Sequence, residues 1–402
     1  MISVIIPHYN DPDSLAKVIA AVRAQEGVGE VEIIVADDGS AVVPDMPGAT
    51  VVTQKDLGFR AAAARNLGAS TATGDVLAFL DADTVPEPGY LAAACRHVEE
   101  DWRAVVVGKR LTGAAREEPA WLRDAWRDTD NLSRADDTSW RFIISSVLTC
   151  SRRFFDAIGG FDGTFVGYGG EDWEFGFRAW NDGATFVHEP DAVAVHDEED
   201  FGARYNNPDE EARVKNIESV ALAHRITHPL ARPDGVRFER ADIGVRVGFM
   251  PEHSPHAAAW HSPGVLEQVI ASWLRADAVV YCDPALGIPE LFRDDPRVRS
   301  DSEHPGYAAP NRLTFRLNVE LGGPWALTDS TAFLHGMREG YYGPDGISIS
   351  DDPEAMAPSF AAFTARSLAR GADCEGHPVD PVDAGLTWVS GPIRLERLFA
   401  GW

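Results

Sequence analysis

Two aspartates separated by one residue, Asp81 and Asp83, follow an apolar run, Val76–Leu80, that has the length and composition of a buried strand. Mg²⁺ and Mn²⁺ prefer oxygen ligands and are often held by one or two carboxylates together with the phosphates of a substrate. Asp81, Ala82 and Asp83 therefore predict a site for a divalent cation and a phosphate-bearing ligand. Exposed aspartates are common in turns, so this pattern taken alone favours a simple turn.

A second carboxylate pair, Asp37 and Asp38, ends the apolar run Val31–Ala36 and is followed by Gly39. Asp-Gly is well suited to a turn, which would explain the pair without any ligand. Alternatively, one of the two carboxylates accepts a hydrogen bond from an N–H group of a nucleobase. The sequence leaves both interpretations open.

Two arginines, Arg60 and Arg65, lie on an Ala-rich segment that we predict to be helical from Arg60 to Ala69, after a strand at Val51–Thr53. Guanidinium groups match planar oxyanions, so these side chains could bind base or phosphate oxygens. Exposed arginines on helices are common, and this is the favoured interpretation of either residue taken singly.

A glycine-rich segment that ends at Gly170 precedes a third carboxylate pair, Glu171 and Asp172. Glycines let the backbone approach a substrate closely, and the pair begins a predicted helix, where carboxylates are favourable. Helix capping would explain both residues. The alternative is general-base catalysis, in which one carboxylate takes the proton of an attacking hydroxyl group.

A histidine, His196, follows the strand-like run Ala192–Val195. A lone histidine is more often structural than a metal ligand, and on spacing alone His188 is an equal candidate. The residues themselves therefore do not decide between the two.

Strand and helix signals alternate over the first hundred residues, which predicts an α/β fold with a doubly wound, mostly parallel sheet. The first strand, Ile2–Ile6, is expected to stop at Pro7. Polar clusters follow three of the predicted strands, and ligands bind at the carboxyl ends of strands in such sheets. The pairs that begin at Asp37 and Asp81 are therefore expected to lie along one edge of the sheet.

A Pro/Gly-containing stretch, His228–Gly235, follows a predicted helix over Asn207–Ile226 and indicates a domain boundary. We expect a first domain at residues 1–230 and a second, smaller α/β or α+β domain at residues 235–402. The elements expected in the second domain are strands at Ile243–Phe249 and Ala278–Tyr281 and a helix at Met356–Ala369.

The 402 residues include 36 basic and 63 acidic side chains, which gives a formal net charge of −27. This charge argues against nucleic acid or an anionic membrane surface as a partner. An anionic ligand would need a local cation, which again indicates a metal. The four cysteines are scattered, and no apolar run reaches the roughly 18 residues that suggest a membrane span. We therefore expect a cytoplasmic protein with reduced thiols, without a signal peptide or a transmembrane segment.

Five motifs occur in the order that is typical of one enzyme family. The motifs are Ser3-Val4-Ile5-Ile6-Pro7-His8-Tyr9-Asn10, Val35-Ala36-Asp37-Asp38-Gly39-Ser40, Ala64-Arg65-Asn66-Leu67-Gly68, Phe79-Leu80-Asp81-Ala82-Asp83 and Gly160-Phe161-Asp162 followed by Gly170-Glu171-Asp172. Together they resemble family-2 glycosyltransferases of the GT-A fold, a Rossmann-like nucleotide-sugar-binding fold, and especially the branch that includes chondroitin-synthase-like and galactofuranosyl-transferring enzymes. The resemblance covers residues 1–226.

The resemblance implies transfer of a sugar from a nucleotide diphosphate to an acceptor hydroxyl group, with inversion at the anomeric carbon. UDP is the expected nucleotide, with GDP and dTDP as alternatives, and Mn²⁺ or Mg²⁺ is the expected cofactor. Asp38 would bind the base. The candidate residues for nucleotide-sugar binding, from the residue patterns and the resemblance together, are Pro7, Tyr9, Asp37, Asp38, Arg60, Arg65, Asp81 and Ala82.

The resemblance also implies roles around the metal and the acceptor hydroxyl group. Asp83 would be the main metal ligand, and Asp81 would lie beside the ribose and diphosphate as a further candidate ligand. His196 lies 24 residues after Asp172 and matches a metal-binding histidine of the family, which favours it over the other histidine. Asp172 would be the general base, with its neighbour Glu171 as the alternative.

The acceptor would be a glycan, a natural product or a peptide. Gly170 and Trp173 are the candidate acceptor residues. Trp121, Trp126 and Trp140 could also stack on sugar rings, although a place in the aromatic core is the more frequent role for tryptophan.

Several alternatives remain. Many relatives have Gly-Asn where this chain has Ser145-Ser146-Val147, so contacts with the donor or acceptor there are open. Residues 235–402 resemble no family, and acceptor selection, a homodimer or structural support would each fit. A sugar-nucleotide pyrophosphorylase would need a Gly-rich, Arg-containing loop where this chain has Pro7–Asp11. A catalytically silent sugar-nucleotide or glycan-binding module would not need Asp172.

Overall fold

The computed structural model divides the chain into two compact units, which are described separately. The first comprises Met1–Trp180 and Ala184–Ile226, and the second comprises Asn181–Gly183 and Thr227–Trp402. The structure describes residues 1–167, 169–196, 207–233, 235–248, 256–305, 315–337, 347–349, 360–370 and 377–396.

The first unit is built on an eight-stranded mixed sheet. Its strands are β1 (Ile2–His8), β2 (Val31–Asp37), β3 (Thr50–Thr53), β4 (Val76–Leu80), β5 (Thr84–Pro86), β6 (Ala104–Thr112), β7 (Val147–Ser151) and β8 (Thr185–His196). They are hydrogen-bonded in the order β3-β2-β1-β4-β7-β6-β8-β5. The strands from β3 to β4 are parallel to one another, β7 is antiparallel to both of its neighbours, and β6 and β8 are parallel. The chain therefore has a nucleotide-binding type of half-sheet at its amino-terminal end.

Seven α-helices of the first unit connect and cover these strands in its described residues. They are α1 (Pro12–Arg23), α2 (Ala61–Thr71), α3 (Tyr90–Glu100), α4 (Ala120–Thr129), α5 (Arg152–Ile158), α6 (Glu171–Asn181) and α7 (Pro208–Arg225). The last residue of α6 is grouped with the second unit. Helix α1 follows the expected capping rule, because the side chain of Asp11 accepts a hydrogen bond from the backbone N–H of Ser14.

The first strand is longer than the sequence predicts, since it continues through Pro7 to His8. The pairing of β1 with β4 ends at Ile5, whereas its pairing with β2 extends to His8. Pro7 therefore lies beyond the part of β1 that has a strand on each side, where a missing backbone N–H is tolerated. The extension places His8 and Tyr9 beyond the end of β4.

Helix α2 packs directly on β1 because the residues that face the strand are small. A Cβ atom on Gly68 would lie only 2.5 Å from Cγ2 of Ile5, so the helix could not keep this position with a larger residue there. The helix begins at Ala61, directly after Arg60. From its second turn, the guanidinium group of Arg65 reaches Asp81 at the end of β4.

Helix α6 is held by a cluster of aromatic rings. Phe161 stacks on Phe175 with ring centroids 4.6 Å apart, and Phe79 meets Phe161 edge-on at 5.3 Å. On another face of the helix, a Cβ atom on Gly176 would lie 2.7 Å from the carbonyl oxygen of Trp140. Ring packing and this close approach fix the start of α6, where the third carboxylate pair lies.

The second unit contains a seven-stranded sheet and a separate two-stranded sheet. The strands are β9 (Ile243–Val247), β10 (Ala278–Cys282), β11 (Val298–Ser300), β12 (Leu317–Leu321), β13 (Trp325–Leu327), β14 (Ile347–Ile349), β15 (Phe360–Thr364), β16 (His377–Pro378) and β17 (Leu386–Trp388), and the helices are α8 (Ala257–Trp260), α9 (Val265–Trp273), α10 (Ser330–Gly336) and α11 (Ala365–Ala369). The large sheet has the order β11-β10-β9-β12-β15-β14-β16, and β13 pairs with β17. Its core includes Trp273, whose ring meets Phe333 edge-on at 5.3 Å.

The predicted helix Met356–Ala369 is wrong over Phe360–Thr364, which forms β15, and correct over Ala365–Ala369. Residues 356–359 lie outside the described residues, as does Phe249 at the end of the predicted strand Ile243–Phe249. Strand β15 lies between β12 and β14 and is buried on both faces. A continuous apolar run in such a strand cannot be distinguished from a buried helix by periodicity.

The predicted fold class is confirmed: the chain is α/β, with a large, mostly parallel sheet and a second domain that contains its own sheet. Cys95, Cys150 and Cys282 are buried free thiols. Within the described ranges, no helix combines the length and the hydrophobicity that a membrane crossing requires.

Candidate active site

A cleft of about 240 Å³ opens where β1, β2 and β4 end, the edge at which doubly wound sheets bind ligands. Most residues predicted to bind a nucleotide-sugar line this cleft, as do all three residues predicted to bind the metal, Asp81, Asp83 and His196. The exceptions are Asp37 and Arg60. The lining residues are Pro7, His8, Tyr9, Asp11, Asp38, Phe59, Ala61, Arg65, Asp81, Ala82, Asp83, Arg110 and His196.

Asp38 lies at the floor of this cleft and is held in one orientation. Its Oδ2 accepts a hydrogen bond of 2.7 Å from the backbone N–H of Arg60, and its Oδ1 accepts one of 2.6 Å from the side chain of Gln54. The guanidinium group of Arg60 lies 3.8 Å from the same carboxylate. Arg60 thus orients Asp38 through its backbone, although its side chain does not line the cleft.

Asp37 is fully buried, with its carboxylate turned into the protein. It lies 3.1 Å from Nδ1 of His8 and accepts hydrogen bonds from Thr53 and from the backbone N–H groups of Gly39 and Ser40. Burial raises the pKa of Asp37, but the hydrogen bonds from Ser40, His8 and Thr53 outweigh it and hold the pKa below its usual value. The carboxylate therefore fixes the turn after β2.

Asp83 and His196 meet in the same cleft. Strand β5 pairs antiparallel with β8 so that Thr84 lies opposite His196, which brings Nε2 of His196 to 3.3 Å from Oδ2 of Asp83. Burial raises the pKa of Asp83, but hydrogen bonds from His196 and Thr84 hold it below its usual value. A carboxylate and an imidazole placed in this way are two adjacent potential metal ligands.

Asp83 and His196 could hold a divalent cation only if the substrate supplies further ligands. Among the described residues, no group of three or more His, Cys, Asp or Glu side chains is arranged to hold a metal. Mg²⁺ commonly keeps only one or two protein ligands and takes the others from substrate phosphates and water. Asp83 and His196 therefore fit a cation that binds together with a diphosphate.

Arg65 lines both this cleft and a second one. Its guanidinium group is buried and donates hydrogen bonds to Asp81 at 2.7 Å and to Glu171 at 3.0 Å. Burial disfavours the charged form, but the two carboxylates outweigh it and hold the pKa of Arg65 above its usual value. The oxygen of Asp81 that faces Arg65 is thereby occupied.

The second cleft, of about 400 Å³, lies beside the first. The two share Phe59, Arg65, Asp81 and Arg110. The predicted acceptor residues Gly170 and Trp173 and the predicted catalytic pair all line the second cleft. The other lining residues are Trp121, Ile144, Ser145, Ser146, Gly169, Lys215 and Glu218.

Asp172 is the residue of this second cleft whose protonation is most altered. Burial raises its pKa, and the adjacent negative charge of Glu171 raises it further, to about 7, although Arg65 works in the opposite direction. Glu171 has Arg65 as its direct partner, whereas Asp172 accepts a hydrogen bond from the backbone N–H of Trp173. A carboxylate with a pKa near 7 can both accept and release a proton at neutral pH.

Some lining residues were missed by the sequence reasoning. Arg110 lies on β6 and lines both clefts, and Lys215 and Glu218 come from α7, far along the chain from every motif. The sequence signal that could have indicated Arg110 is that it follows another basic residue, Lys109, on a strand. The sequence carries no comparable signal for the α7 pair.

His188 and two of the tryptophans lie away from the clefts. The ring of His188 stacks on Trp126 with centroids 4.1 Å apart, and burial lowers the pKa of His188 to about 4. Trp126 is 5 % exposed and Trp140 is 1 % exposed, so both belong to the core, whereas Trp121 is 43 % exposed. His188 is therefore structural, and Trp121 is the member of the Trp-rich stretch that faces a cleft.

Comparison with known families gives two matches in this unit. Residues 3–159 match the model of glycosyl transferase family 2, and residues 135–196 match that of the N-terminal domain of galactosyltransferase. Residues 3–159 belong to glycosyl transferase family 2. The predicted family and enzyme class, glycosyltransferase, are therefore confirmed, and with them the GT-A fold of this domain.

The family 2 domain is similar to several curated proteins. Chondroitin synthase of Escherichia coli is 27 % identical over 268 residues, which cover 56 % of this chain and 38 % of the relative. Hyaluronan synthase of Pasteurella multocida is 28 % identical over 268 residues, covering 56 % and 27 % of the two chains. Validoxylamine A glucosyltransferase of Streptomyces hygroscopicus subsp. limoneus is 30 % identical over 215 residues, covering 44 % and 47 %. The chain spans less than half the length of each of these relatives.

Solved structures resemble the family 2 domain only in part. TarS 1-349 of S. aureus has a TM-score of 0.41 and 16 % identity, with 57 % of this chain and 67 % of that chain covered. GalNAc-T7 with UDP, GalNAc and Mn²⁺ has a TM-score of 0.40 and 17 % identity, with 55 % and 48 % covered. Likeness at this level does not bear on the site.

Proposed function

We propose that the family 2 domain is an inverting, metal-dependent glycosyltransferase that takes a sugar from a UDP-sugar and transfers it to an acceptor hydroxyl group. The observation that carries the proposal is the pair of clefts that meet at Arg65 and Asp81. One cleft contains the Asp83–His196 pair, and the other contains Asp172 with its raised pKa.

The first cleft has the groups that a nucleotide diphosphate needs. The carboxylate of Asp38 is held where it can accept a base N–H, and the half-exposed ring of Tyr9 lines the same cleft. Asp83 and His196 would hold Mn²⁺ or Mg²⁺, and the ion would neutralise the diphosphate charge as it leaves. In a chain of net charge −27, such local positive charge is required for an anionic donor.

The second cleft has the group that an acceptor hydroxyl needs. The carboxylate of Asp172 would take the hydroxyl proton as the acceptor oxygen forms its bond to the anomeric carbon. The bond between that carbon and the diphosphate oxygen breaks, and the diphosphate leaves with the electron pair. A single displacement of this kind inverts the anomeric configuration, and Asp172 forms no covalent intermediate.

The alternative of a catalytically silent binding module is disfavoured by the same geometry. Binding a nucleotide-sugar would need only the first cleft. A carboxylate with a pKa of about 7 in a separate cleft would be an unfavourable feature without a catalytic role, since perturbed pKa values cluster at functional sites.

The experiment that tests the metal and donor sites is calorimetric titration of UDP into the whole protein, with Mn²⁺ or with EDTA. We expect UDP to bind at least tenfold more tightly with Mn²⁺, because the cation offsets the diphosphate charge. Asp83→Asn should lose most of this difference. Asp124→Asn, a matched change at an exposed position on α4, should keep it. Equal UDP affinity in Mn²⁺ and EDTA would contradict the metal role.

A further inference from the structure

The second cleft has an outer wall that the transfer chemistry does not use. Trp121 lies in the first turn of α4 and is 43 % exposed, and Lys215 and Glu218 lie on α7. Trp173 joins this wall from α6. We call these four residues the α4–α7 wall.

The aromatic part of the wall is preorganised for a flat ligand surface. The ring of Trp173 is supported edge-on by the buried ring of Trp140, with centroids 5.9 Å apart. Trp121, in contrast, leaves much of its large apolar surface at the cleft. An exposed indole in a concave site usually packs against a ligand, because it buries a large area and loses little rotational freedom.

The polar part of the wall is charge-balanced. Nζ of Lys215 lies 2.7 Å from Oε2 of Glu218. A Cβ atom on Gly169 would lie 3.1 Å from the carboxyl carbon of Glu218, so the absence of a side chain there lets α7 lie close over the start of α6. An ammonium and a carboxylate side by side offer donors and acceptors together, which suits hydroxyl groups.

Charge across the whole cleft is also close to balanced. The described residues that line it include the cations Arg65, Arg110 and Lys215 and the carboxylates Asp81, Glu171, Asp172 and Glu218. The cleft therefore offers no net positive field for an anionic acceptor. Its charged groups equally disfavour a purely apolar acceptor, whose binding would desolvate them without replacing their hydrogen bonds.

From these observations we infer that the acceptor is an uncharged, polyhydroxylated ring, a neutral saccharide unit, whose apolar face stacks on Trp121 while its hydroxyl groups bind the Lys215–Glu218 pair. This inference rests on the proposed function. Trp121 is then a residue that determines acceptor specificity, and the ring that it supports presents a hydroxyl group to Asp172.

The test measures sugar transfer from a UDP-sugar, chosen by thermal shift with Mn²⁺, to a panel of methyl glycosides. The neutral members are methyl glucoside, galactoside, N-acetylglucosaminide and N-acetylgalactosaminide, and methyl glucuronide is the anionic match. We expect transfer to at least one neutral glycoside, with kcat/KM at least tenfold above that for methyl glucuronide. Preference for the glucuronide, or no transfer to any neutral glycoside by a protein that binds UDP and Mn²⁺, would overturn the inference.

The variants test the residue itself. Trp121→Ala should raise the acceptor KM about tenfold, whereas Trp121→Phe should recover most of the loss, since phenylalanine restores an aromatic face for stacking. Arg123→Ala, an exposed position two residues further on α4 and outside the cleft lining, is the matched control. An acceptor KM for Trp121→Ala equal to that of Arg123→Ala would overturn the role of Trp121. Failure of UDP and Mn²⁺ to bind the unmodified protein would instead refute the proposed function.

Discussion

Replacing Asp172 with asparagine should make the protein more stable at pH 8 while it abolishes most of the turnover. The pKa of Asp172 is raised from 3.8 to about 7 by burial and by the charge of Glu171. Between these two values the unfolded chain has already lost the proton that the folded protein keeps, so stability falls as pH rises from about 4 to about 7. Asparagine carries no ionisable proton and avoids this loss.

The size of the effect follows from the same two values. A difference of about three pH units at 1.36 kcal/mol per unit gives an upper limit of about 4 kcal/mol at pH 8. Asp172 keeps some access to water, which screens part of this effect, so we expect a gain of about 1–2 kcal/mol. For a unit of this size, that gain corresponds to a rise in Tm of about 2–8 °C. At pH 5 the gain in stability should be about a third as large, because pH 5 lies only about one unit above the unfolded-state pKa of 3.8, whereas the folded-state pKa of about 7 lies about three units above it.

The assay is thermal unfolding of the whole protein at pH 5 and pH 8, with Glu171→Gln as the matched control. Glu171 accepts a hydrogen bond from the buried Arg65, so its replacement should destabilise the protein by about 1–3 kcal/mol at pH 5, and by less at pH 8, where loss of its charge also relieves Asp172. The two neighbouring substitutions are thus expected to act with opposite signs. A Tm change for Asp172→Asn that is negative, or equal at the two pH values, would refute the reasoning.

Turnover provides the second half of this prediction. In the unmodified protein, kcat/KM should rise with pH and level off above about 7, as the base loses its proton. Asp172→Asn should lower turnover about a hundredfold or more. If Asp172→Asn keeps near-normal turnover and Glu171→Gln does not, Glu171 is the base.

Two further predictions concern Arg110 at the clefts and Gly68 at the packing of α2 on β1. Arg110 lines both clefts, so Arg110→Met should lower kcat about 10–100-fold, because the proposed leaving diphosphate would lose a positive charge beside it. Arg110→Lys should recover part of the lost kcat. Equal steady-state kcat in the methionine variant and the unmodified protein would contradict this role. Gly68→Ala should destabilise the protein by about 1–2 kcal/mol in urea unfolding, because the new methyl group would lie 2.5 Å from Ile5. A stabilisation of about 1 kcal/mol, as helix propensity alone predicts, would show that α2 can shift.

The location of the carboxylates at the strand ends could be predicted because it depends on local pattern and sheet topology alone. Apolar runs mark where β2 and β4 end, and parallel strands bring their ends to one edge, so Asp38 and Asp81 were expected at the same edge, and both line the first cleft. Asp83 follows from the same argument. The partner of Asp83 required the resemblance, because the pairing of β5 with β8 joins residues more than 100 positions apart.

The distinction between Asp37 and Asp38 could not be predicted in the same way. Successive side chains of an extended chain point to opposite sides, so one carboxylate faces the cleft and the other faces the protein. Which one does so depends on the partners of Asp37, His8 and Thr53, which come from two other strands. Likewise, the contribution of Lys215 depends on how α7 lies over the glycine loop. The role of residues 235–402, a homodimer and a cytoplasmic location stay predictions.

The different environments of Glu171 and Asp172 explain how two adjacent carboxylates can take separate roles. Arg65 donates a hydrogen bond directly to Glu171 and another to Asp81, and so ties the start of α6 to the first cleft. The charge of Glu171 in turn raises the pKa of Asp172. A substitution of Arg65 would therefore disturb both clefts at once, because its guanidinium group positions Asp81 in the first cleft and lowers the pKa of Asp172, the proposed base, in the second. Sequence spacing shows the pair, but only the buried arginine between the clefts makes its two members chemically different.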